Sequence, residues 1–303
     1  MKLIATLLTS LTLALSANAT LFTNTVSVDS FVRSNSPAAN YGGAGALSVS
    51  GLTATNVFGQ TTNGITDTFI RFNTALSVSN FNAQFGTNNW VINGAKLRVT
   101  EVGAPNNSLF SRGIGAFEIR WVANTNWTEG TGMPMSPTAN GIAFTNEFTL
   151  LNTNTDASLG VFTNAGVDSA QAFNLALPTE FTSSLRNGGE VGFFLTALDS
   201  GTGFTFNSKT FGTASARPFL DISALPQPAI VSLALTETDC IVSATNGFTN
   251  ATYYLLSSSD LTLPLSQWTP ISTNLPSTNG DFTITPTNAL GTSDQLFFIL
   301  QAQ

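Results

Sequence analysis

Hydrophobic and polar residues alternate along much of the chain, and this two-residue period is typical of β-strands with one buried face. The alternation is clear in "AKLRVTEV" and "AFEIRWV", and turn-forming pairs such as Asn93-Gly94 and Asn187-Gly188 separate segments of this kind. The pattern predicts an all-β fold class. Within the first 223 residues the clearest predicted strands are 21–32, 67–73, 95–102, 116–122, 190–198, 204–208 and 217–223.

One segment instead has the residues that commonly begin and end a helix. Leu177, Phe181 and Leu185 recur every four residues, with Pro178 at the predicted start and Gly188 at the predicted end. The sequence therefore predicts a single short helix here. It also predicts two long polar loops, 133–140 and 152–171, each of which is either a binding loop or a plain connector.

The composition changes after the last cation, Arg217, beyond which the chain has acids but no Lys or Arg. Residues 224–229, "ALPQPA", contain two prolines and are predicted to form a short stiff linker. Six short apolar strands follow at roughly ten-residue spacing, which is typical of small sandwiches. We therefore expect a large β domain over residues 20–223 and a smaller β-sandwich over 230–303.

The first 19 residues have the pattern of a secretory signal peptide. A basic start at Lys2 precedes an apolar run, and the small residues Ala17 and Ala19 suit cleavage after Ala19. A membrane span is the alternative, but the run is short and interrupted by Thr and Ser. We expect an exported protein, secreted or at the cell surface, without a membrane span.

Composition also restricts the chemistry. The chain has no His, which excludes Ser-His-Asp catalysis and His-ligated metals, and its one Cys, Cys240, is expected to be a buried structural thiol. A formal net charge of −7 argues against nucleic acid as a partner. Paired carboxylates remain the only plausible route to an enzyme, and no such pair has a recognisable catalytic setting.

Several motifs occur in an order that resembles one known family. "DSFVRSNSPAANYGG" is followed by "ALSVSG", "DTFIRFN" and "AKLRV", and later by the Trp-containing "NTNWTEGTGMPMSP" and the closing "SKTFGTASARPFLDIS". This series resembles the DNRLRE family, also called carbohydrate-binding module family 96, over residues 20–223. The C-terminal region is similar to a small immunoglobulin-like or fibronectin-III-like domain found at the ends of exported bacterial proteins.

The resemblance implies a jelly-roll β-sandwich in a secreted bacterial protein. It also implies that the ligand is an extracellular polysaccharide, with acidic chains such as alginate included. Because sandwich modules often fasten their first and last strands with calcium, Asp29 and Asp221 are candidate ligands of a structural calcium ion. The alternative for Asp29 is a turn cap or a pair with a buried Arg.

Three residues are expected to fix the fold. Arg71 lies between aromatic residues on a strand, and a buried guanidinium needs a carboxylate, for which Asp29 is the predicted partner. Asn40 is expected to bind backbone two residues further on, and Gly42 gives the turn conformational freedom.

Other residues are candidates for sugar contacts. Trp127 is a loop aromatic suited to stacking on a sugar, whereas alternation places Trp121 in the core with Phe117 and Ile119. Tyr41 has a sugar-facing and a core-packing interpretation. Arginine binds carboxylates with two hydrogen bonds, and lysine adds charge, so these cations are candidates for an acidic glycan. The candidate cations are Arg98, Arg120 and Lys209.

Three functions follow from these observations. The first is a secreted, non-catalytic protein that binds extracellular polysaccharide. The second is a structural surface or matrix protein that binds no glycan, and the third is a polysaccharide-active enzyme. The sequence favours the first.

Overall fold

The structure is a computed structural model that describes residues 4–7, 19–62, 64–236, 239–247, 252–276, 280–286 and 295–302. Strands account for 49% of the chain and helices for 11%, so the predicted all-β class is confirmed. The chain divides into two compact units. The larger contains residues 21–80 and 94–223, and the smaller contains 1–20, 81–93 and 224–303.

Most of the predicted signal peptide lies outside the described residues, which begin with strand β1, Ile4–Leu7. No helix in the described part of the chain has the length and apolar character that a membrane crossing requires.

The predicted strands of the larger unit are present, joined by several that the sequence pattern did not reveal. They are β2 Thr20–Arg33, β3 Ala46–Ser50, β4 Thr55–Asn56, β5 Thr66–Asn73, β6 Trp90–Glu101, β7 Ser111–Arg112, β8 Ala116–Val122, β9 Ala157–Thr163, β10 Ser169–Asn174, β11 Glu190–Ala197, β12 Gly203–Asn207 and β13 Phe219–Pro226.

Ten of these strands form one sheet in the order β2-β13-β6-β12-β3-β5-β11-β8-β9, with β10 attached to β6. Because β2 also pairs with β5, six strands close into a ring: β2, β13, β6, β12, β3 and β5. The remaining strands of the larger unit, β4 and β7, form a two-stranded sheet.

Aromatic side chains fill the interior of the larger unit. Phe117 stacks on Phe204 at 4.7 Å between ring centroids and contacts Phe173 edge-on at 5.3 Å. Phe117, Ile119 and Trp121 are all buried, which confirms the inward face predicted for β8.

Within the described ranges, three α-helices accompany the strands: α1 Ala75–Phe85, α2 Phe144–Glu147 and α3 Thr179–Asn187. Helix α3 is the predicted one; it buries Phe181 and Leu185 and ends at Gly188, whose φ of 69° is left-handed. The expectation of a single helix is wrong, because α1 buries Phe81 and Phe85 at the same four-residue spacing.

The predicted loop over 152–171 is also wrong. Only its first residues form a turn, and β9 then pairs with β8 along Ala157–Thr163 before β10 begins at Ser169. The second predicted loop, 133–140, has no strand, and in its first half Met133 and Ser136 exchange two backbone hydrogen bonds of 3.0 Å.

Besides β1, the described strands of the smaller unit are β14 Ala229–Leu235, β15 Cys240–Gly247, β16 Tyr253–Ser258, β17 Thr269–Asn274, β18 Gly280–Ile284 and β19 Gln295–Ala302. They form two sheets. One has the order β1-β19-β16-β17 and the other β14-β15-β18. Its buried core includes Cys240, Tyr253 and Phe298, each fully buried. The predicted linker 224–229 is largely strand, because β13 continues through Pro226 and β14 starts at Ala229.

Candidate functional site

Asn40 fastens the segment between β8 and β9, residues 123–156, to the larger unit. Its buried amide donates hydrogen bonds to the carbonyl oxygens of Glu129 (2.7 Å) and Ile142 (2.8 Å). Its oxygen accepts from the N–H groups of Gly42 (3.1 Å) and Gly132 (3.2 Å), so the predicted bond to backbone two residues on is confirmed. A Cβ on Gly42 would lie 2.1 Å from the Glu129 carbonyl oxygen, which explains the glycine.

This fastening brings Glu129 to the buried Asp29. The Asp29 N–H donates to Glu129 Oε1 at 2.9 Å, and the Lys209 N–H donates to Asp29 Oδ2 at 2.7 Å. The Lys209 ammonium completes the cluster, because Nζ lies 2.7 Å from Glu129 Oε2 and donates to the Ser27 carbonyl oxygen at 3.1 Å. Strand β2, the 123–156 segment and the chain after β12 therefore meet at Asp29.

Asp29 titrates near neutrality in this environment. Its side chain is almost completely buried, and this loss of water raises its pKa to about 7. The hydrogen bond from the Lys209 N–H lowers the pKa, the nearby charge of Glu129 raises it, and the Lys209 charge lowers it, so that burial prevails. The second oxygen, Oδ1, is buried without a hydrogen-bond partner.

The predicted pair between Asp29 and Arg71 is wrong. In the β2–β5 register Arg71 lies opposite Val28, whereas Asp29 lies opposite Ile70, so the two side chains point to opposite faces. Arg71 instead pairs with Glu190, with Nε 3.0 Å from Oε2.

The Arg71 guanidinium also holds the 123–156 segment. It donates to the carbonyl oxygen of Thr125 and lies 5.2 Å from the ring centroid of Trp127. Arg71 is therefore a fold-fixing residue, as expected, although its carboxylate partner differs from the predicted one.

Asp221 is engaged by a cation. Arg98 donates to both of its oxygens, from Nε at 2.6 Å and from Nη2 at 2.9 Å, and Thr23 adds a hydroxyl donor at 2.7 Å. Burial raises the pKa of Asp221, but the hydrogen bonds from Arg98 and Thr23 outweigh it and leave the pKa below its ordinary value. Among the described residues, no group of three or more Asp, Glu, Cys or His is placed to hold a metal ion.

A groove with a cavity volume of about 510 Å³ opens beside Lys209, and we call it the basic groove. Lys209 and Arg217 supply positive charge, Phe219 supplies an aromatic ring, and four hydroxyl side chains line the remainder. Arg98 lies against Phe219, with its guanidinium carbon 4.9 Å from the ring centroid. The lining residues are Thr25, Val26, Ser27, Lys209, Thr210, Ala214, Ser215, Arg217 and Phe219.

Arg217 has the least satisfied charge in the basic groove. Its Nε donates to the Phe211 carbonyl oxygen at 2.8 Å. Across the part of the chain that the structure describes, no carboxylate forms an ion pair with it, whereas Lys209 pairs with Glu129 and Arg98 with Asp221. An anionic group that enters the groove can therefore pair with Arg217 without displacing a carboxylate of the protein.

Trp127 lines a second, more polar hollow of about 310 Å³, the Trp127 cleft. Its half-buried ring contacts Phe69 edge-on at 5.8 Å, and the rest of the cleft is rich in amides and hydroxyls. A series of polar contacts connects the two hollows. Ser27 of the basic groove donates a hydrogen bond to Glu190, Glu190 forms an ion pair with Arg71, and the Arg71 guanidinium lies against the Trp127 ring.

Two predicted sugar contacts lie elsewhere. Tyr41 is 3% exposed and stacks on Phe31 with 4.6 Å between ring centroids, so its assignment to carbohydrate binding is wrong. Arg120 on β8 pairs with Glu118 at 3.4 Å and lines neither hollow.

Sequence reasoning missed Arg217 and Phe219. A signal for them exists, since Lys209 and Arg217 are two of only ten Lys and Arg residues and lie eight positions apart, with small hydroxyl residues between them.

Two further carboxyls are buried where the 123–156 segment packs on β5. Asp67 is 4% exposed and Glu147 is 1% exposed, and each has one oxygen without a hydrogen-bond partner. Burial raises the pKa of Asp67 to about 6, partly offset by a hydrogen bond from Thr196. Burial and the charge of Asp67 raise the pKa of Glu147 to about 8. Because both carboxyls are buried, neither can contact a substrate.

Comparisons with known proteins give limited similarity. No protein-family model matches the sequence, and no curated protein matches it. Among solved structures, β-glucuronidase from Ruminococcus gnavus in complex with N1-substituted uronic isofagomine is 10% identical, with a TM-score of 0.17, over 74% of this chain and 31% of that one. A second structure of Ruminococcus gnavus β-glucuronidase is 10% identical, with a TM-score of 0.17, over 78% and 34%. This chain thus spans about a third of each enzyme.

Proposed function

We propose that this protein is an exported, non-catalytic module that binds an acidic extracellular polysaccharide in the basic groove. The resemblance of residues 20–223 to the DNRLRE family supports the proposal, as does the all-β architecture. The jelly-roll sandwich that this resemblance implies is part of the same proposal.

The basic groove is the observation that carries the proposal. Uronic acid chains present carboxylates, hydroxyls and apolar C–H faces at each sugar. The groove offers a matching set, with cations at Lys209 and Arg217, the ring of Phe219, and hydroxyl groups from β2 and the chain after β12. The Trp127 cleft adds an aromatic ring with amide neighbours, which suits a further sugar along the same chain.

The carboxylates near the groove favour binding over hydrolysis. Glu129 bonds Lys209 and the Asp29 N–H, and Asp221 bonds Arg98 through both oxygens. Glycoside hydrolysis needs one carboxyl to give a proton and another to face the sugar. Assays for new reducing ends and for unsaturated products test the enzyme alternative directly.

Replacing Arg217 with alanine is expected to weaken binding of an acidic polysaccharide about tenfold, because a charge-assisted contact with a carboxylate is lost. The measurement is affinity electrophoresis and calorimetry with alginate, pectate and a neutral glucan. Arg112→Ala, which removes an equal charge from an exposed position on strand β7, is the matched control and should bind as the parent does. Equal retardation by all three gels contradicts the preference for acidic chains, and retardation by none contradicts the proposal and favours the structural-protein alternative.

Calcium binding by Asp29 and Asp221 stays a prediction. Arg98 and Thr23 donate to both oxygens of Asp221, so an ion shared by the two carboxylates would have to displace these donors, although Oδ1 of Asp29 accepts no hydrogen bond. We therefore expect the melting temperature to be the same with calcium and with a chelator. A clear rise with calcium would instead support the metal site.

A further inference from the structure

Lys209 connects the buried Asp29 to the basic groove. Its backbone N–H bonds the Asp29 carboxylate at 2.7 Å, while its side chain lines the groove. The Asp29 N–H in turn fixes Glu129, which holds the Lys209 ammonium at 2.7 Å. A change of charge on Asp29 therefore acts on both the position and the field of a groove cation.

Few charged groups influence the protonation of Asp29. The charged neighbours of Asp29 are Lys209, in the chain after β12, and Glu129, in the 123–156 segment. The adjacent strand β5 presents Ile70 opposite Asp29, and its cation Arg71 points to the other face. Oδ1 of Asp29 has no donor of its own, so the ionised state is only half satisfied.

We propose that Asp29 is a protonation gate for the basic groove, such that uptake of one proton by its carboxyl strengthens binding of an anionic polysaccharide. This inference rests on the proposed function and specifies how that same site is regulated. With Asp29 ionised, the cluster of Asp29, Glu129 and Lys209 carries a net negative charge beside the groove. With Asp29 protonated, the cluster is neutral, and the positive charge of Arg217 faces the ligand unopposed.

The size of the effect follows from linkage. An anion bound a few ångströms away raises the proton affinity of Asp29, and the affinity for the anion must rise by the same factor when the proton binds. For a partly screened interaction across the protein we expect roughly a three- to tenfold tighter complex at pH 6 than at pH 8. The carboxylates of the polysaccharide stay ionised throughout this range.

Calorimetry with alginate oligosaccharides tests the gate. The dissociation constant of the parent should rise between pH 6 and pH 8, and titrations in buffers of different ionisation enthalpy should show proton uptake near pH 7. Asp29→Asn keeps an acceptor for the Lys209 N–H but cannot ionise. It should bind tightly at both pH values without proton uptake. Glu180→Gln on α3, outside the groove, should keep the pH dependence of the parent.

The outcomes separate the two proposals. Binding by the parent that is independent of pH, or that shows the same pH dependence in Asp29→Asn, overturns the gate and leaves the binding function standing. Failure of the parent to bind any acidic polysaccharide at either pH overturns the binding function, and the gate with it. Proton uptake that is retained in Glu147→Gln supports the gate even when Asp29→Asn fails to fold, because Glu147 also titrates in this range beside the Trp127 cleft.

Discussion

Replacing Asn40 with alanine is expected to lower the free energy of unfolding by about 3–5 kcal/mol. The side chain is fully buried, and its loss leaves two carbonyl oxygens and two N–H groups without their partners. The cost of such unpaired groups exceeds that of the small cavity. Urea unfolding followed by tryptophan fluorescence measures the change.

Asn40→Asp distinguishes lost hydrogen bonds from lost volume. An aspartate fills the same space but turns an oxygen toward the carbonyl oxygens of Glu129 and Ile142, so it should destabilise about as much as alanine. Asn35→Ala is the control, because Asn35 is exposed and donates one hydrogen bond, to the Thr62 carbonyl oxygen. A loss below about 1 kcal/mol for Asn40→Ala would show that the 123–156 segment is held by other contacts.

The local pattern was sufficient to predict most strands. Where one face is buried, the two-residue period and the flanking turn residues set the limits, and β8 begins and ends where the pattern does. The pattern failed for β9 and α1, whose polar residues resemble loop composition. Strand β9 is stabilised by its pairing with β8, and α1 by burial of Phe81 and Phe85, neither of which local propensity records.

The candidate site was predicted less well, because its contacts depend on strand register. The sequence indicated that Arg71 needs a carboxylate. It did not reveal that β11 lies beside β5 and brings Glu190 within reach, or that the register turns Asp29 to the opposite face. The basic groove likewise combines β2, the chain after β12 and β13, which come together only through long-range pairing.

Raising the pH from 5 to 9 is expected to destabilise the protein, with the buried pair Asp67 and Glu147 as the main cause. Their pKa values of about 6 and about 8 in the folded protein lie above the ordinary values of 3.8 and 4.5. The folded state therefore binds more protons than the unfolded chain in this range. The contribution of the two carboxyls to the free energy of unfolding is complete below about pH 4 and declines as the pH rises through 6 and 8.

Glu147→Gln tests this assignment, because the amide keeps the shape of the protonated acid and cannot ionise. At pH 9 the variant should be more stable than the parent by about 2–4 kcal/mol, whereas at pH 5 the two should be similar. Glu180→Gln, at the exposed start of α3, should leave the pH profile of unfolding unchanged. Asp29 also titrates near pH 7, so the Asp29→Asn background isolates the contribution of the pair. Parallel stability curves for Glu147→Gln and the parent from pH 5 to pH 9 would mean that Glu147 is ionised in the folded protein at neutral pH.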